Sequence, residues 1–118
     1  MLKIHAKTLD AVRVLCLEGQ IINGDTEILH QVMPLAADSG EVILDLSNVT
    51  IVDAHGLGML LQLREEALAK GTNLELVNLS NALHRIFEIT KLDTVFEISS
   101  GVQFLPEIAY AARVPVAA

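Results

Sequence analysis

Short strands alternate with helical segments along most of this chain. Residues 2–7 alternate apolar and polar side chains, and this period of two is typical of a half-buried strand. After a short connection, the apolar run at 12–17 predicts a second strand, which we expect to end at Gly19. Because a parallel crossover needs about a dozen residues or more, so short a connection predicts an antiparallel hairpin.

Two longer segments follow, and each has the spacing of an amphipathic helix. The first begins at Asp25 and ends before Gly40. A third strand then starts near Val42, and we predict a polar loop at residues 47–53 after it. The second helical segment continues from this loop to about Lys70 and carries a broad apolar stripe on one side.

The last part of the chain repeats the alternation of strand and helix. Residues 74–79 predict a fourth strand, and Ser80 is a typical N-cap for a short helix after it. Residues 95–98 predict a fifth strand. A final helix is expected at residues 106–112, because it would start on a proline, which favours the first helical position.

The predicted order of elements is β-β-α-β-α-β-α-β-α, which indicates an α/β domain with a mostly parallel sheet of four to five strands and an antiparallel first strand. The strand residues that we assign to one face of this sheet are Lys3, His5, Lys7, Arg13, Glu41, Asp45 and Glu75. So many charges indicate a face largely open to water, so the helices should gather mainly on the other face. We expect one domain at residues 1–112 and a short tail at 113–118.

Composition and charge exclude several classes of protein. The net charge of −7 and the aromatic content of 3% argue against nucleic-acid binding and against an anionic membrane partner. Mean hydropathy is +0.47, but no stretch approaches the roughly 18 apolar residues that a membrane span needs. Cys16 cannot form an internal disulfide, and the start of the chain has no signal-peptide pattern. We therefore expect a cytoplasmic protein without direct membrane insertion.

One segment, residues 45–61, differs from the rest of the chain. A carboxylate, Asp53, precedes a helix that has Gly56 and Gly58 in its first turn. Because glycine weakens a helix by about 1 kcal/mol relative to alanine, we expect another group to approach the backbone closely there. The free N–H groups at such a helix start also favour an anion, for instance a phosphoryl group.

This segment resembles the signature of the STAS domain family, which runs approximately D-L-S-G-V-x-x-[IVM]-D-S-[ST]-G-L-G. The matching residues are Asp45, Leu46, Ser47, Val49, Val52, Asp53, Gly56, Leu57 and Gly58. A later run, Leu92-Asp93-x-Val95-Phe96, is similar to the family's L-D-x-V-F. The resemblance extends from residue 2 to about residue 112 and implies the fold of an anti-sigma-factor antagonist.

The resemblance also implies a function. In this family a GHKL-type kinase, itself the anti-sigma factor, phosphorylates the second hydroxyl residue of D-S-[ST]-G, and the unphosphorylated antagonist binds that kinase and frees a sigma factor for transcription. Here the two hydroxyl positions are Ala54 and His55, so serine phosphorylation is chemically impossible at this site. His55 then has three interpretations. It is a phosphohistidine acceptor, part of a permanently unphosphorylated module whose binding is constitutive or tuned by imidazole protonation, or a tolerated residue in a degenerate switch.

We expect three segments to form a docking surface for a protein partner. They are the start of the long helix, the loop before it and the turn after the second strand, because loops at the carboxyl ends of parallel strands can converge on one edge. The residues assigned to this surface are Ile22, Asn23, Asp25, Ser47, Asn48, Thr50, Asp53, Ala54, His55, Gly56 and Leu57. Ser47 and Thr50 are also alternative phosphoacceptors, although their interpretation as loop-capping hydroxyls is favoured.

Two other classes of function stay open. A STAS-like module can serve as an adaptor subunit of a transport assembly, such as a lipid-trafficking ABC system, where it contacts an ATPase. An enzyme or small-ligand binder would need an acid/base pair or a metal set, and the four histidines and one cysteine have no ligand spacing. We therefore expect no enzymatic activity, no cofactor and no bound metal, while a homodimer stays open.

Overall fold

The computed structural model describes residues 2–9, 11–24, 27–29, 31 and 40–101. The strands are β1 (Lys3–Leu9), β2 (Val12–Ile21), β3 (Glu41–Val52), β4 (Asn73–Val77) and β5 (Glu97–Ser99). The helices are α1 (Ala54–Ala69) and α2 (Asn81–Ile89), and a 3-10 turn lies at Leu92–Thr94. Residues 27–29 and 31 are helical as well and belong to the first predicted helical segment.

The five strands form one sheet in the order β1-β2-β3-β4-β5. β1 and β2 pair antiparallel, and the other neighbouring strands pair parallel. This confirms the α/β architecture, the antiparallel first strand and the hairpin. The predicted helix at 106–112, the domain boundary at residue 112 and the tail at 113–118 lie outside the described residues.

β2 and β3 are both longer than the sequence predicted. β2 does not end at Gly19 but passes through it to Ile21, with φ +115° at the glycine. β3 continues to Val52, so the predicted loop at residues 47–53 is wrong, and we call residues 46–52 the β3 extension. Register shifts between Cys16 and Glu18 and between Gly19 and Gln20 interrupt the pairing of the two strands. Bulges of this kind break the two-residue alternation that a sequence pattern relies on.

The main core lies between one face of the sheet and the helices. α1 contributes Leu60, Leu63 and Ala67, and α2 contributes Leu83 and Phe87. The sheet contributes aliphatic residues from its inner strands, namely Leu15, Leu17, Leu44, Leu46 and Leu76. The rings of Phe87 and Phe96 meet edge to face, with centroids 5.8 Å apart and an interplanar angle of 61°. The described helices therefore cover one face, as predicted.

The opposite face is not simply polar. Its centre is a second apolar cluster formed by Val12, Val14, Ile43 and Val77, all of which are buried. The expectation that this face is largely open to water is therefore wrong at its centre. It rested on the charged residues of the face and overlooked the apolar residues that lie between them. A carboxylate on this face, that of Glu75, is itself only 6% exposed and accepts a hydrogen bond from Ser99 Oγ at 2.6 Å.

One charged residue lies on the other face from the one predicted. The sheet register pairs Arg13 with Thr8 and with Val42, and paired residues on neighbouring strands share a face. Because Val42 belongs to the main core, Arg13 lies on the helix-covered face. It does not share the face of Asp45, which is paired with Cys16.

Both described helices begin at the predicted kind of residue. Asp53 is the N-cap of α1, and Ser80 is the N-cap of α2, where its Oγ accepts a hydrogen bond from Leu83 N–H at 3.2 Å. α1 ends at Ala69 with Lys70 as its C-cap, as expected from the sequence, which predicted an end at about Lys70. Within the described ranges, none of the helices combines the length and the apolar character needed to cross a membrane.

Candidate functional site

The candidate site lies where β2 and β3 end side by side. Ile21, the last residue of β2, is paired with Val52, the last residue of β3. We call residues 22–24, which follow β2, the β2 turn, and residues 53–57, which follow β3, the α1 tip. Two of the three segments predicted for the docking surface are therefore neighbours in the structure.

Asp53 makes three hydrogen bonds, of which one joins the α1 tip to the β2 turn, one lies within the α1 tip and one reaches the end of β2. Its Oδ2 accepts from the backbone N–H of Asn23 at 3.0 Å, and its Oδ1 accepts from the backbone N–H of Gly56 at 2.8 Å. Its own N–H donates to the carbonyl oxygen of Ile21 at 3.3 Å. The hydrogen bonds from Asn23 and Gly56 lower the pKa of the Asp53 carboxyl; burial opposes each of them by less, and the nearby His55 lowers the pKa by a still smaller amount.

Gly56, within the α1 tip, and Gly58, just after it, have different surroundings. A Cβ added to Gly56 would overlap the carbonyl oxygen of Ile21, so α1 starts in direct contact with the end of β2. A Cβ added to Gly58 would meet nothing within 4 Å. The close approach expected from the sequence therefore exists at Gly56, but it comes from this chain's own backbone. At Gly58 no group from the described part of this chain lies near, so that position is open to approach from outside.

The start of α1 already holds an anionic group. The Asp53 carboxylate caps the helix, and the Asp53 carbonyl oxygen accepts from Leu57 N–H at 2.9 Å. An external phosphoryl group at this position would therefore meet a negative charge and a donor that is already paired. Among the described residues, no three His, Cys, Asp or Glu side chains are grouped to hold a metal ion. This geometry favours recognition by side chains over anion binding.

The side chains that face outward at the site are a methyl group, an imidazole and an amide. Ala54 and His55 are exposed at the start of α1, and Asn23 is exposed in the β2 turn. Ile22 and Leu57 are half-buried beside them. The structure thus presents one imidazole, one amide and partly exposed apolar groups on adjoining segments.

The three predicted residues upstream of the α1 tip lie on the β3 extension and not on a loop. Ser47, Asn48 and Thr50 are all exposed. Thr50 Oγ1 donates to the carbonyl oxygen of Gly19 at 3.1 Å, so this hydroxyl ties β3 to the bulged part of β2. The hydroxyl therefore has a structural role between two strands, and not the loop-capping role that was expected. Asp25, the remaining predicted residue, lies outside the described residues.

Two features near the site were missed by the sequence analysis. Ile51 is 49% exposed on the β3 extension, two residues before Asp53, and was overlooked because this stretch was predicted as a loop. The second is the hydrogen bond that Asn78 Nδ2 donates to Asp45 at 3.5 Å, which connects β3 to the end of β4 in addition to the bond that Asp45 accepts from Ser47 N–H at 3.0 Å. Asn78 has a left-handed backbone, with φ 62°. An asparagine directly after an apolar strand was the available signal for this turn.

Comparison with known proteins identifies relatives along most of the chain. The profile of the STAS domain family matches residues 3–105. The anti-sigma-B factor antagonist of Bacillus subtilis is 33% identical to this chain over 78 residues, which span 63% of this chain and 72% of that protein.

Solved structures share the fold. The crystal structure of an anti-sigma factor antagonist from Mycobacterium paratuberculosis superposes with a TM-score of 0.76 at 24% identity and covers 97% of this chain and 96% of that one. The crystal structure of a sulfate transporter family protein from Wolinella succinogenes gives a TM-score of 0.72 at 18% identity and covers 95% and 93% of the two chains. Both comparisons confirm the predicted architecture.

Proposed function

This chain belongs to the STAS domain family, and on that premise we propose that it is a regulatory protein-binding module that docks onto a GHKL-type anti-sigma-factor kinase. Its similarity to the Bacillus subtilis antagonist supports a regulatory role exerted through protein partners. By binding the kinase, the module would release a sigma factor and so regulate transcription.

The observation that carries this proposal is the exposure of Ala54 and His55 on the first turn of α1. These two residues stand where the family signature has its hydroxyl residues, and the α1 tip is joined firmly to the β2 turn by Asp53. A rigid surface of this kind loses little conformational entropy on binding. Because neither residue has a hydroxyl group, the module stays unphosphorylated at this site and its docking surface is permanently available.

A pair of substitutions with the same change in charge tests the proposal. His55→Glu adds a negative charge to the docking surface, whereas Gln62→Glu adds the same charge to an exposed position further along α1. Titration calorimetry with purified GHKL-type anti-sigma-factor kinases of the source organism should show tight binding of the wild type to one of them. We expect His55→Glu to weaken that binding by at least about tenfold, since juxtaposed like charges and unpaired buried charges cost several kcal/mol.

The control variant decides how the result is interpreted. Gln62→Glu should bind the kinase as the wild type does, because the side chain lies outside the α1 tip. If both variants weaken binding equally, the effect is one of net charge and the α1 tip is not the docking site. If the wild type binds none of the kinases, the proposed function is wrong.

A second candidate is an adaptor subunit of a transport assembly. The similarity in fold to a sulfate transporter family protein and the loss of both hydroxyl residues favour it. Such an adaptor would contact a transporter ATPase and would need no kinase. Titration of the module with the purified ATPase subunit of a lipid-trafficking ABC system, with the same two variants, separates the two candidates.

A further inference from the structure

We propose that Asp53 is a positioning residue, whose carboxylate holds the β2 turn and the α1 tip in one fixed arrangement and makes no contact with the partner itself. This inference rests on the proposed function, because it concerns how the same docking surface is built. It differs from the sequence-based expectation, in which Asp53 belonged to the residues that touch the partner.

The first argument is that both carboxylate oxygens are already used within the chain. Oδ1 accepts from Gly56 N–H and Oδ2 from Asn23 N–H, and the second bond spans 30 residues of sequence. A carboxylate has two oxygens that accept strong, charge-assisted hydrogen bonds, and each is directed here at a different segment. The orientation of the carboxylate is thus set by two backbone donors of this chain before any partner approaches.

The second argument is that the bonded groups are backbone N–H groups. These two bonds therefore involve none of the side chains of Asn23, Ala54 and His55, and all three are exposed. Two further contacts hold the α1 tip against the end of β2. Gly56 touches the carbonyl oxygen of Ile21, and Asp53 N–H donates to the same oxygen. The partner can thus recognise the Asn23 side chain on one segment and the Ala54 and His55 side chains on the other, and Asp53 sets the separation of the two segments.

Substitution by asparagine separates the two roles of Asp53. Asparagine is as good an N-cap as aspartate, so Asp53→Asn keeps the bond from Gly56 N–H. Its other polar atom is an NH₂ group, which would face the Asn23 N–H donor to donor and cannot accept from it. Asp53→Ala loses both bonds, and Ser80→Ala removes the cap of the other helix as a control outside the site.

Amide hydrogen exchange followed by NMR tests the inference without any partner. In Asp53→Asn we expect the exchange rate of the Asn23 amide to rise by about tenfold, because the loss of one hydrogen bond to a charged group has roughly this effect. The exchange rate of the Gly56 amide should stay close to that of the wild type. In Asp53→Ala both amides should exchange faster, and in Ser80→Ala neither should. If Asn23 is unaffected in Asp53→Asn, the inference is overturned.

A measurement on the wild type covers the case in which a variant fails to fold. On acidification, the amide shifts of Asn23 and Gly56 should titrate together with a single midpoint, because both report the same carboxyl group. Separate midpoints for the two amides would overturn the inference as well.

Calorimetry with the anti-sigma-factor kinase that binds the wild type completes the test. We expect Asp53→Asn to weaken binding about tenfold, the same factor by which amide exchange at Asn23 accelerates, because the β2 turn is no longer held in place. Weaker binding without faster exchange at Asn23 would mean that Asp53 contacts the kinase directly, and faster exchange without weaker binding would mean that the β2 turn plays no part in docking. Either result overturns the inference. Failure of the wild type to bind any kinase contradicts the proposed function only, because the exchange results do not depend on it.

Discussion

The carbonyl oxygen of Ile21 lies where the Cβ of any side chain at position 56 would have to be. The end of β2 and the start of α1 are therefore in backbone contact, and only glycine fits between them. This contact sets the distance between the β2 turn and the α1 tip before any side chain contributes. The glycine of the family signature thus has a packing explanation within this chain.

The two glycines near the start of α1 should respond oppositely to alanine. Gly56→Ala forces the helix away from β2, and we expect it to destabilise the protein by about 1–3 kcal/mol, the usual cost of overpacking. Gly58→Ala meets no neighbour and should be neutral or stabilising by up to about 1 kcal/mol, because alanine favours the helix. Urea unfolding of both variants measures the difference. A Gly58→Ala variant as unstable as Gly56→Ala would contradict this account.

The sequence predicted the parts of the site that depend on local patterns. The carboxylate before α1 and Ser80 before α2 are both N-caps, because capping depends on residues within one turn. The bond between Asn23 and Asp53 was not predictable, since it depends on the register between β2 and β3, which two bulges shift. The β3 extension was missed for the same reason.

The buried residues of the β3 extension show why its strand structure was missed. Leu46, Val49 and Val52 are buried and follow each other at intervals of three. Neither a regular strand, with a period of two, nor a helix, with a period of 3.6, gives that spacing. Ile51 was hidden by the same irregularity, because a polar loop was the simplest interpretation of residues 47–53.

Restoring a hydroxyl group at position 55 should restore phosphorylation if the partner is a kinase of this family. We expect intact-mass spectrometry to show no modification of the wild type incubated with kinase and ATP, and addition of one phosphoryl group to His55→Ser. Ala54→Ser is the matched control, because the family resemblance places the acceptor at the second hydroxyl position. It should stay unmodified.

Two results would contradict this interpretation of the switch. Modification of the wild type at another residue would show that the site of regulation lies elsewhere in the chain. Modification of Ala54→Ser but not of His55→Ser would show that the acceptor position is assigned to the wrong residue of the α1 tip.

Cys16 should react slowly with alkylating reagents in the folded protein. Burial raises the pKa of its thiol, the neighbouring Asp45 raises it further, and Lys7 lowers it. Lys7→Gln should therefore shift the pH profile of iodoacetamide alkylation to higher pH and slow the reaction near neutral pH by about two- to fivefold, in the range of an exposed ion pair. Lys3→Gln, an exposed lysine on the same strand, is the control and should leave the profile unchanged. Equal shifts in both variants would indicate an effect of net charge alone.

Folding stability should depend on pH through Asp53. Because hydrogen bonds from Asn23 and Gly56 lower the pKa of this carboxyl in the folded state, its contribution to the free energy of unfolding is complete above its ordinary pKa near 3.8. The contribution is lost as the pH falls through the lower pKa of the folded state, where the carboxyl takes up a proton. Asp53→Asn has no such group, so its unfolding free energy should decline less steeply than that of the wild type over this acidic range. Chemical denaturation at a series of pH values measures the two curves, and parallel curves would show that the bonds to Asn23 and Gly56 do not favour the charged form.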